Sequence, residues 1–288
     1  MIWDRLGIIT DEVSGDLTEA LDWAADRELK HVEIRTIGGR NIVDFTDGEL
    51  SEVIQEVEGR GLFVSAISSP LFKCALDPQR PVMKGDTFGQ EEEDIAAHFA
   101  KLHRFIDIAD QLKTNRIRVF SFWREQNPRD YEEEITANLR KAADIAEQHG
   151  KLLLLENEPS CNGGFAEEVA RIVMKVQSDA LRALWDPGNE QYGGRSSYPE
   201  GYAHVRKLTG HVHLKDALFL EDGEPSCVPI GTGKVPFAAM LNALQEDGYS
   251  GLYTIETHFI PEGRTAMEGS ELTLQGLKGL LKRIAVDL

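Results

Sequence analysis

The sequence predicts the α/β class and, within it, a closed (β/α)8 TIM barrel. Three observations lead there. Short apolar runs of strand character recur eight times, amphipathic stretches of helical period separate them, and the 288 residues accommodate the roughly 250 that eight such units need. Strand–helix alternation implies parallel strands. An open doubly wound sheet uses the same units, but no GxGxxG follows the first strand, which weakens a dinucleotide-binding version of that fold. No long linker or low-complexity tract interrupts the chain, so residues 1–288 read as a single domain.

The elements follow in order. The first strand is LGIIT (6–10), and Asp16 signals the start of a helix that buries Leu17, Ala20, Leu21 and Ala24. HVEIR (31–35) is the second strand, and Gly61 stops its helix. LFVSAIS (62–68) is the third. The longest irregular stretch follows, from Pro70 to Glu93, with Pro78, Pro81, Gly85 and Gly89. The acidic run Glu91 to Asp94 suits the positive end of a helix dipole, and that helix is expected to bury Ala96, Phe99, Ala100 and His103. NRIRVFSFW (115–123) is the fourth strand; its helix buries Ile135, Leu139, Ala142, Ala143 and Ala146 and stops at Gly150. KLLLLEN (151–157), LRALWD (181–186), GHVHLK (210–215) and LYTIET (252–257) complete the set, with a second irregular stretch from Leu218 to Pro236. Both irregular stretches follow strands, which places them at the C-terminal rim, where barrel active sites form.

Composition narrows the function. Apolar residues make up 41% of the chain, enough for a sizeable core, yet no apolar run approaches the ~20 residues of a membrane span. The start, MIWDRLGIIT, lacks the pattern of a secretion signal. Cys74, Cys161 and Cys227 are scattered and form no CxxC pair, which disfavours a disulfide framework and fits a reducing cytoplasm. A net charge of −18 disfavours a nucleic-acid partner, whose backbone is held by basic surfaces. It leaves room for a small phosphorylated substrate held by a few local cations.

Four residues stand out: Glu156, Asp186, His213 and Glu256, at the ends of strands five to eight and 30, 27 and 43 residues apart. Residues two apart share a strand face. Glu156 is in phase with Leu152 and Leu154, Asp186 with Leu184, His213 with His211 and Lys215, and Glu256 with Thr254 and His258. Taken singly, an acid at a strand end is a cap or half of a salt bridge, and a strand histidine is a hydrogen-bonded core residue. Together, charges at one rim would be costly to bury unpaired, and a divalent cation removes that cost. Three carboxylates and one imidazole form a hard ligand set that suits Mn2+ or Mg2+ and admits Co2+ or Zn2+. By phase, Lys215 is the nearest cation to offset the ligands' charge.

At these residues the sequence resembles the sugar phosphate isomerase/epimerase family, the xylose isomerase-like barrels, over nearly its whole length. The motifs are the Glu of LLLLENEP, the Asp of WDPGN, the second His of GHVHLKD and the Glu of YTIETHF, with IGTGKVPF (230–237) similar to the family's glycine turn before its seventh helix. The resemblance implies one divalent metal on Glu156, Asp186, His213 and Glu256. It also implies that the metal holds two adjacent oxygens of an α-hydroxy ketone, and that Glu156 and Glu256 exchange a proton on the neighbouring carbon. A ketose, a keto-inositol or a sugar phosphate would be the substrate, and a dimer or tetramer is what the family implies. Departures exist. Asn189 stands where many epimerases carry a histidine three residues after the aspartate, Phe219 where some carry an arginine, and Asn162 where they carry a glutamate. Loss of the histidine puts in doubt a mechanism that uses it, and is tolerated by a dehydratase, which needs one base and a proton donor. The related AP endonucleases use three zinc ions and further histidines; Asn189, the serines ending strand three and the negative charge oppose that activity. A non-catalytic sugar-binding barrel is the third reading, opposed by the retention of all four ligand types.

Further candidates for substrate contact are Lys215, Asn189, Glu158, His211 and Trp123. Lys215 touches a substrate oxygen or balances the metal site, the structural alternative being a salt bridge to Asp216 or Glu33. His211 orients a ligand from behind or is a core histidine. Glu158 and Asn162 follow strand five, Asn162 facing solvent. Trp123 walls the pocket or packs at the rim. Arg35, Lys73, Arg124 and Arg264 follow strands two, three, four and eight, where a phosphate would be met.

Overall fold

The computed structural model describes residues 2–286. Eight parallel strands close into a barrel: β1 (Leu6–Ile9), β2 (His31–Ile34), β3 (Phe63–Leu71), β4 (Arg116–Val119), β5 (Leu152–Glu156), β6 (Leu181–Trp185), β7 (Thr209–Leu214) and β8 (Tyr253–Ile255). Each pairs with its neighbours in sequence, and β8 closes on β1 with Leu6 opposite Tyr253 and Ile8 opposite Ile255. Helices return between strands: α1 (Leu17–Asp26), α2 (Asp47–Gly59), α3 (Ile95–Gln111), α4 (Glu132–Gln148), α5 (Ala166–Val176), the short α6 (Pro187–Tyr192) and α7 (Tyr202–Val205), α8 (Phe237–Glu246) and α9 (Ala266–Val286). All eight strands lie where the apolar runs predict them.

Local chemistry fixes the helix starts. Asp16 caps α1 by accepting from Glu19 N at 3.0 Å, and Asp94 caps α3 through Ala97 N at 2.8 Å. Thr46 and Glu49 form a reciprocal capping box on α2. Gly61 and Gly150, at φ +71° and +63°, lie just beyond α2 and α4, as expected of chain-reversing glycines.

Strand alternation divides the core. One phase, including Val32, Ile34, Ile67, Leu153, Leu155 and Val212, packs outward against Leu21, Val53, Phe105, Leu139 and Val173 of the helices. The other faces the barrel interior, where Ala66, Leu154 and Leu184 form a small apolar layer. Two residues further along those same strands stand Ser68, Glu156 and Asp186, so the interior turns polar at its C-terminal end.

Three expectations are corrected. The face of α3 is displaced: Phe99 is buried, but Ala96, Ala100 and His103 are exposed, and Leu102, Phe105, Ile106 and Ala109 complete the buried stripe. Large side chains gain more from burial than alanine and set the helix rotation. Strand four ends at Val119, short of Trp123, because Phe122 is left-handed (φ +64°) and the chain turns out to bridge Trp123 to Cys161. The stretch from Leu218 to Pro236 is not wholly irregular: Pro225–Val228 pairs antiparallel with Asp216–Phe219. The glycine turn after it is pinned by Asp216, whose carboxylate accepts from Gly231, Gly233 and Val235 N–H at 2.8, 3.0 and 3.1 Å.

Helix α9 braces two of the rim loops. A Cβ on Gly276 would fall far inside the contact distance of Ile230 O, whereas one on Gly279 would meet nothing within 4 Å among the described residues. Gly276→Ala should therefore lower the urea midpoint substantially. Gly279→Ala should raise stability by about 0.5–1 kcal/mol by removing helix-interior backbone freedom. Equal effects of the two substitutions would contradict the packing of α9 on the turn at Ile230.

Candidate metal centre and active site

Glu156, Asp186, His213 and Glu256 converge at the C-terminal mouth, each offering one ligand atom within 4.8 Å of all the others, and all four are buried. Each is delivered by a different strand end. Asp186 serves twice: Oδ1 accepts from Asn189 N at 2.9 Å as the N-cap of α6, with Pro187 at the first helical position, which leaves Oδ2 for the site. Gly188 is needed beside it, because a Cβ there would lie 2.5 Å from Lys215 O. His213 turns Nδ1 to Glu156 Oε1 (3.5 Å) and Glu256 Oε2 (3.3 Å), while Nε2 faces Glu33 Oε2 at 3.1 Å. Nε2 faces Glu33, so Nδ1 is the nitrogen turned to the other three: the surrounding acids hold the ring protonated despite its burial, and loss of the Nδ1 proton would free a lone pair for a cation. Glu33 is itself held by Ser68 Oγ at 2.5 Å and His211 Nε2 at 2.6 Å. That is the outer arrangement that orients a metal-binding imidazole.

The donor set fits a divalent cation. Among the described residues, Glu156 Oε2 and Asp186 Oδ2 are buried and accept no hydrogen bond, although Arg118 and Lys215 stand 3.2 and 2.9 Å away. Buried carboxylate oxygens normally have partners. A further grouping, Glu12, Glu256 and His258, is instead filled by the Arg35 guanidinium, which lies 2.7 Å from Glu12 and 3.0 Å from Glu256.

Cations hold the two glutamates ionised. Burial and Glu256 push the Glu156 carboxyl up, but Arg118 and His213 outweigh them and bring it below its usual range. Burial likewise opposes Glu256, yet Lys215, His258 and His213 hold it well below that range. Asp186 is raised, by burial and by both glutamates, against the pull of Lys215. Lys215 Nζ lies 2.9 Å from both Asp186 and Glu256 and is held well above its ordinary value by those acids despite burial.

A cavity of about 700 Å³ opens above the four residues. Lys215, Asn189 and Glu158 line it, as the sequence predicts for substrate contacts. Asn189 accepts from Lys215 Nζ at 3.1 Å and donates to Asn157 O at 2.8 Å. Glu158 pairs with Lys73 Nζ at 2.6 Å, and Lys73 also lines the cavity. Two predicted contacts do not reach it. Trp123 is fully buried with Phe120 and Cys161 behind the wall, and His211 lies below the mouth, bonded to Glu33 and to Thr254 at 2.9 Å. Asn162 is not solvated but buried, accepting from Glu125 N and donating to Ser121 O and Trp123 O. Lys215 pairs with neither Asp216 nor Glu33. Arg124 pairs with Glu168 and Arg264 with Glu268. Two site residues are not among those the sequence singles out: Arg118, whose Nη1 lies 3.0 Å from Glu256 and 3.2 Å from Glu156, and Glu33 in its role behind His213. Both signals were present: each is a charge on the interior phase of a strand.

The family model of the xylose isomerase-like TIM barrel matches residues 21–280. The chain belongs to that family. An uncharacterized protein of Methanocaldococcus jannaschii is 28% identical over 153 residues, 52% of this chain and 50% of that protein, so the match spans about half the relative's length. Among solved structures, the IolI protein with a zinc atom superposes with a TM-score of 0.73 at 19% identity, over 97% of this barrel and 99% of that chain. A D-psicose 3-epimerase with D-fructose gives 0.67 at 17%, over 93% and 89%. The probable 3-DHS dehydratase AsbF of Bacillus anthracis gives 0.71 at 15%, over 95% and 98%. At these identities the likeness carries the fold alone. No described helix of this xylose isomerase-like barrel is long and apolar enough to cross a membrane.

Glu190, on the helix that Asp186 caps, has a carboxyl pushed up to about 7 by burial, with Glu168 and Asp186 adding to it against the Ala166 N–H and Arg195. The folded chain thus holds this proton more tightly than the unfolded chain, so its contribution is present at low pH and is lost as pH rises from about 4.5 through 7. Glu190→Gln should match the wild type at pH 4.5 and exceed it by about 2–3 kcal/mol at pH 8.5. Urea unfolding at the two pH values tests this; a difference independent of pH would contradict it.

Proposed function

We propose that this barrel is a divalent-metal-dependent isomerase or epimerase acting on a ketose, a keto-inositol or a sugar phosphate. Glu156, Asp186, His213 and Glu256 hold the metal, and Glu156 and Glu256 also move the proton. The observation that carries the reading is the convergence of three buried carboxylates and one oriented imidazole, two of the acids having an oxygen without a hydrogen bond. Three hard oxygens and a nitrogen suit Mn2+ or Mg2+, and the fold also occurs in a structure with magnesium from Mycobacterium smegmatis. The bound cation supplies polarisation of the substrate carbonyl, which acidifies the adjacent C–H.

The chain's own residues do the rest. Glu256 removes the proton at the carbon beside the carbonyl, and Glu156 returns one. Arg118 faces both carboxylates and keeps them ionised, as a base must be. Lys215 faces the cavity where negative charge develops on the substrate oxygens and stabilises it there. Asn189 carries no proton and serves as a hydrogen-bond partner for a hydroxyl. A low-pKa carboxylate is a weak base, and burial at the foot of the cavity compensates by proximity and exclusion of water.

Lys215 also favours a second reading, a dehydratase on a related keto-polyol. A buried ammonium beside Glu256 is placed to give a proton to a leaving hydroxyl, a step that Asn189 cannot assist. Incubation of the metal-loaded protein with ketoses and inososes in heavy water separates the two. Deuterium gained without other mass change marks an isomerase or epimerase, and loss of one water marks the lyase. Neither change, with metal bound, leaves a sugar-binding barrel.

Asp186→Ala should lower the metal content of dialysed protein, and Glu33→Gln should weaken metal affinity about 10–100-fold by releasing His213. Elemental analysis and metal titration read both, and unchanged values would remove these residues from the centre. Glu256→Gln should slow proton exchange on a confirmed substrate roughly 10²–10⁴-fold while far-UV circular dichroism stays unchanged. Full turnover by that variant would exclude Glu256 as the base.

A further inference from the structure

The opposite mouth of the barrel carries a second cavity of about 560 Å³, at the N-terminal ends of the strands. Its lining includes Arg116, Arg182, Arg206 and Lys207, with Asp247 the one carboxylate. Such a balance is unexpected in a chain of net charge −18. Asp247 is already engaged, paired with Arg206 and accepting from Tyr202 Oη at 2.7 Å.

Arg116 and Arg182 lie on the interior phase of β4 and β6, two residues before Arg118 and Leu184, and both are half-buried. Neither side chain, nor that of Lys207, makes an ion pair among the described residues, and Arg116 Nε is buried without a hydrogen-bond partner. The surroundings are built to admit these groups. Gly210 lets Arg182 lie across it, since a Cβ there would come 2.8 Å from Arg182 Cβ. Arg5 fixes the facing rim by donating to Tyr249 O and Gly251 O, both at 2.8 Å. Two planar guanidinium groups, flanked by two further cations over the apolar side chain of Leu152, match a compact dianion with several acceptor oxygens.

We infer that the N-terminal mouth is a binding site for a dianionic phosphate group, held by Arg116 and Arg182 with support from Arg206 and Lys207. Free phosphate and a phosphate monoester share this chemistry. Calorimetric titration of the metal-loaded full chain at low ionic strength, with inorganic phosphate in one arm and methyl phosphate in the other, tests the site and tells the two apart by affinity. Saturable binding is expected, weakened roughly tenfold or more by Arg182→Gln or Arg116→Gln. Should either variant fail to fold, Arg206→Gln and Lys207→Gln at the exposed rim carry the test, each expected to weaken binding several-fold. Asp186→Asn, at the far mouth, should leave the affinity unchanged. Absence of saturable heat with both anions, retention of full affinity in the arginine variants that fold and in the two rim variants, or loss of binding in Asp186→Asn would each overturn the assignment.

Discussion

Everything at the C-terminal mouth depends on one electrostatic constraint: Glu156, Asp186 and Glu256 are buried together, and their charges must be answered locally. Left unpaired, such a group would cost several kcal/mol per ion. The chain answers with Arg118 between Glu156 and Glu256, Lys215 between Asp186 and Glu256, and Arg35 on the outer side of Glu256. Glu33 extends the same network behind His213 to His211 and Ser68. The fold serves this network by ending five neighbouring strands, β4 to β8, at or within two residues of one of its charges. The loops after β3 and β7 then roof the cavity.

The interior of the barrel is layered by the two-residue repeat of its strands. Ala66, Leu154 and Leu184 are small or unbranched enough at Cβ to fill the narrow lumen, and the next inward residues are the charged ones. A shift of one residue in any strand would send its ligand into the helices and an aliphatic side chain into the site. The N-cap role of Asp186 guards against such a slip. Its Oδ1 is fixed by the start of α6, so the position of Oδ2 is tied to helix geometry as well as to the strand.

Most of this was legible because strand phase and strand ends are properties of short sequence windows. The four converging residues, the inward direction of Lys215 and the eight strand positions all follow from period two and from where the apolar runs stop. What the windows do not contain is which neighbour a side chain meets. Trp123 follows strand four in sequence, yet a left-handed Phe122 sends it behind the wall. Asn162 reads as a polar loop residue, yet its amide completes the backbone hydrogen bonds of residues 121–125. The face of α3 was displaced because alanines marked a period that Leu102, Phe105 and Ile106 occupy with far more apolar area. Arg118 shares the interior phase of RIRVF with Arg116, so its direction is legible, but the window does not contain the acids of strands five and eight that close over it.

The cations that make burial tolerable also set the terms of the proposed chemistry. By holding Glu156 and Glu256 below the ordinary carboxylate range they guarantee ionised groups at neutral pH, but they also lower the affinity of those groups for a proton. A base so weakened can act only if the carbon acid is strengthened to match, and the charges that weaken the one strengthen the other. Arg118 and Lys215 face the cavity as well as the acids, so positive charge that depresses the base also stabilises negative charge developing on the substrate. Removing Arg118 would raise the basicity of both glutamates and, in the same act, withdraw support from the substrate oxygens. Asp186, raised where its two partners are lowered, is the acid least suited to remain an anion without a metal beside it. The site is therefore consistent with proton transfer only as a unit, in which cation, carboxylates and guanidinium are tuned against one another rather than each toward an optimum of its own.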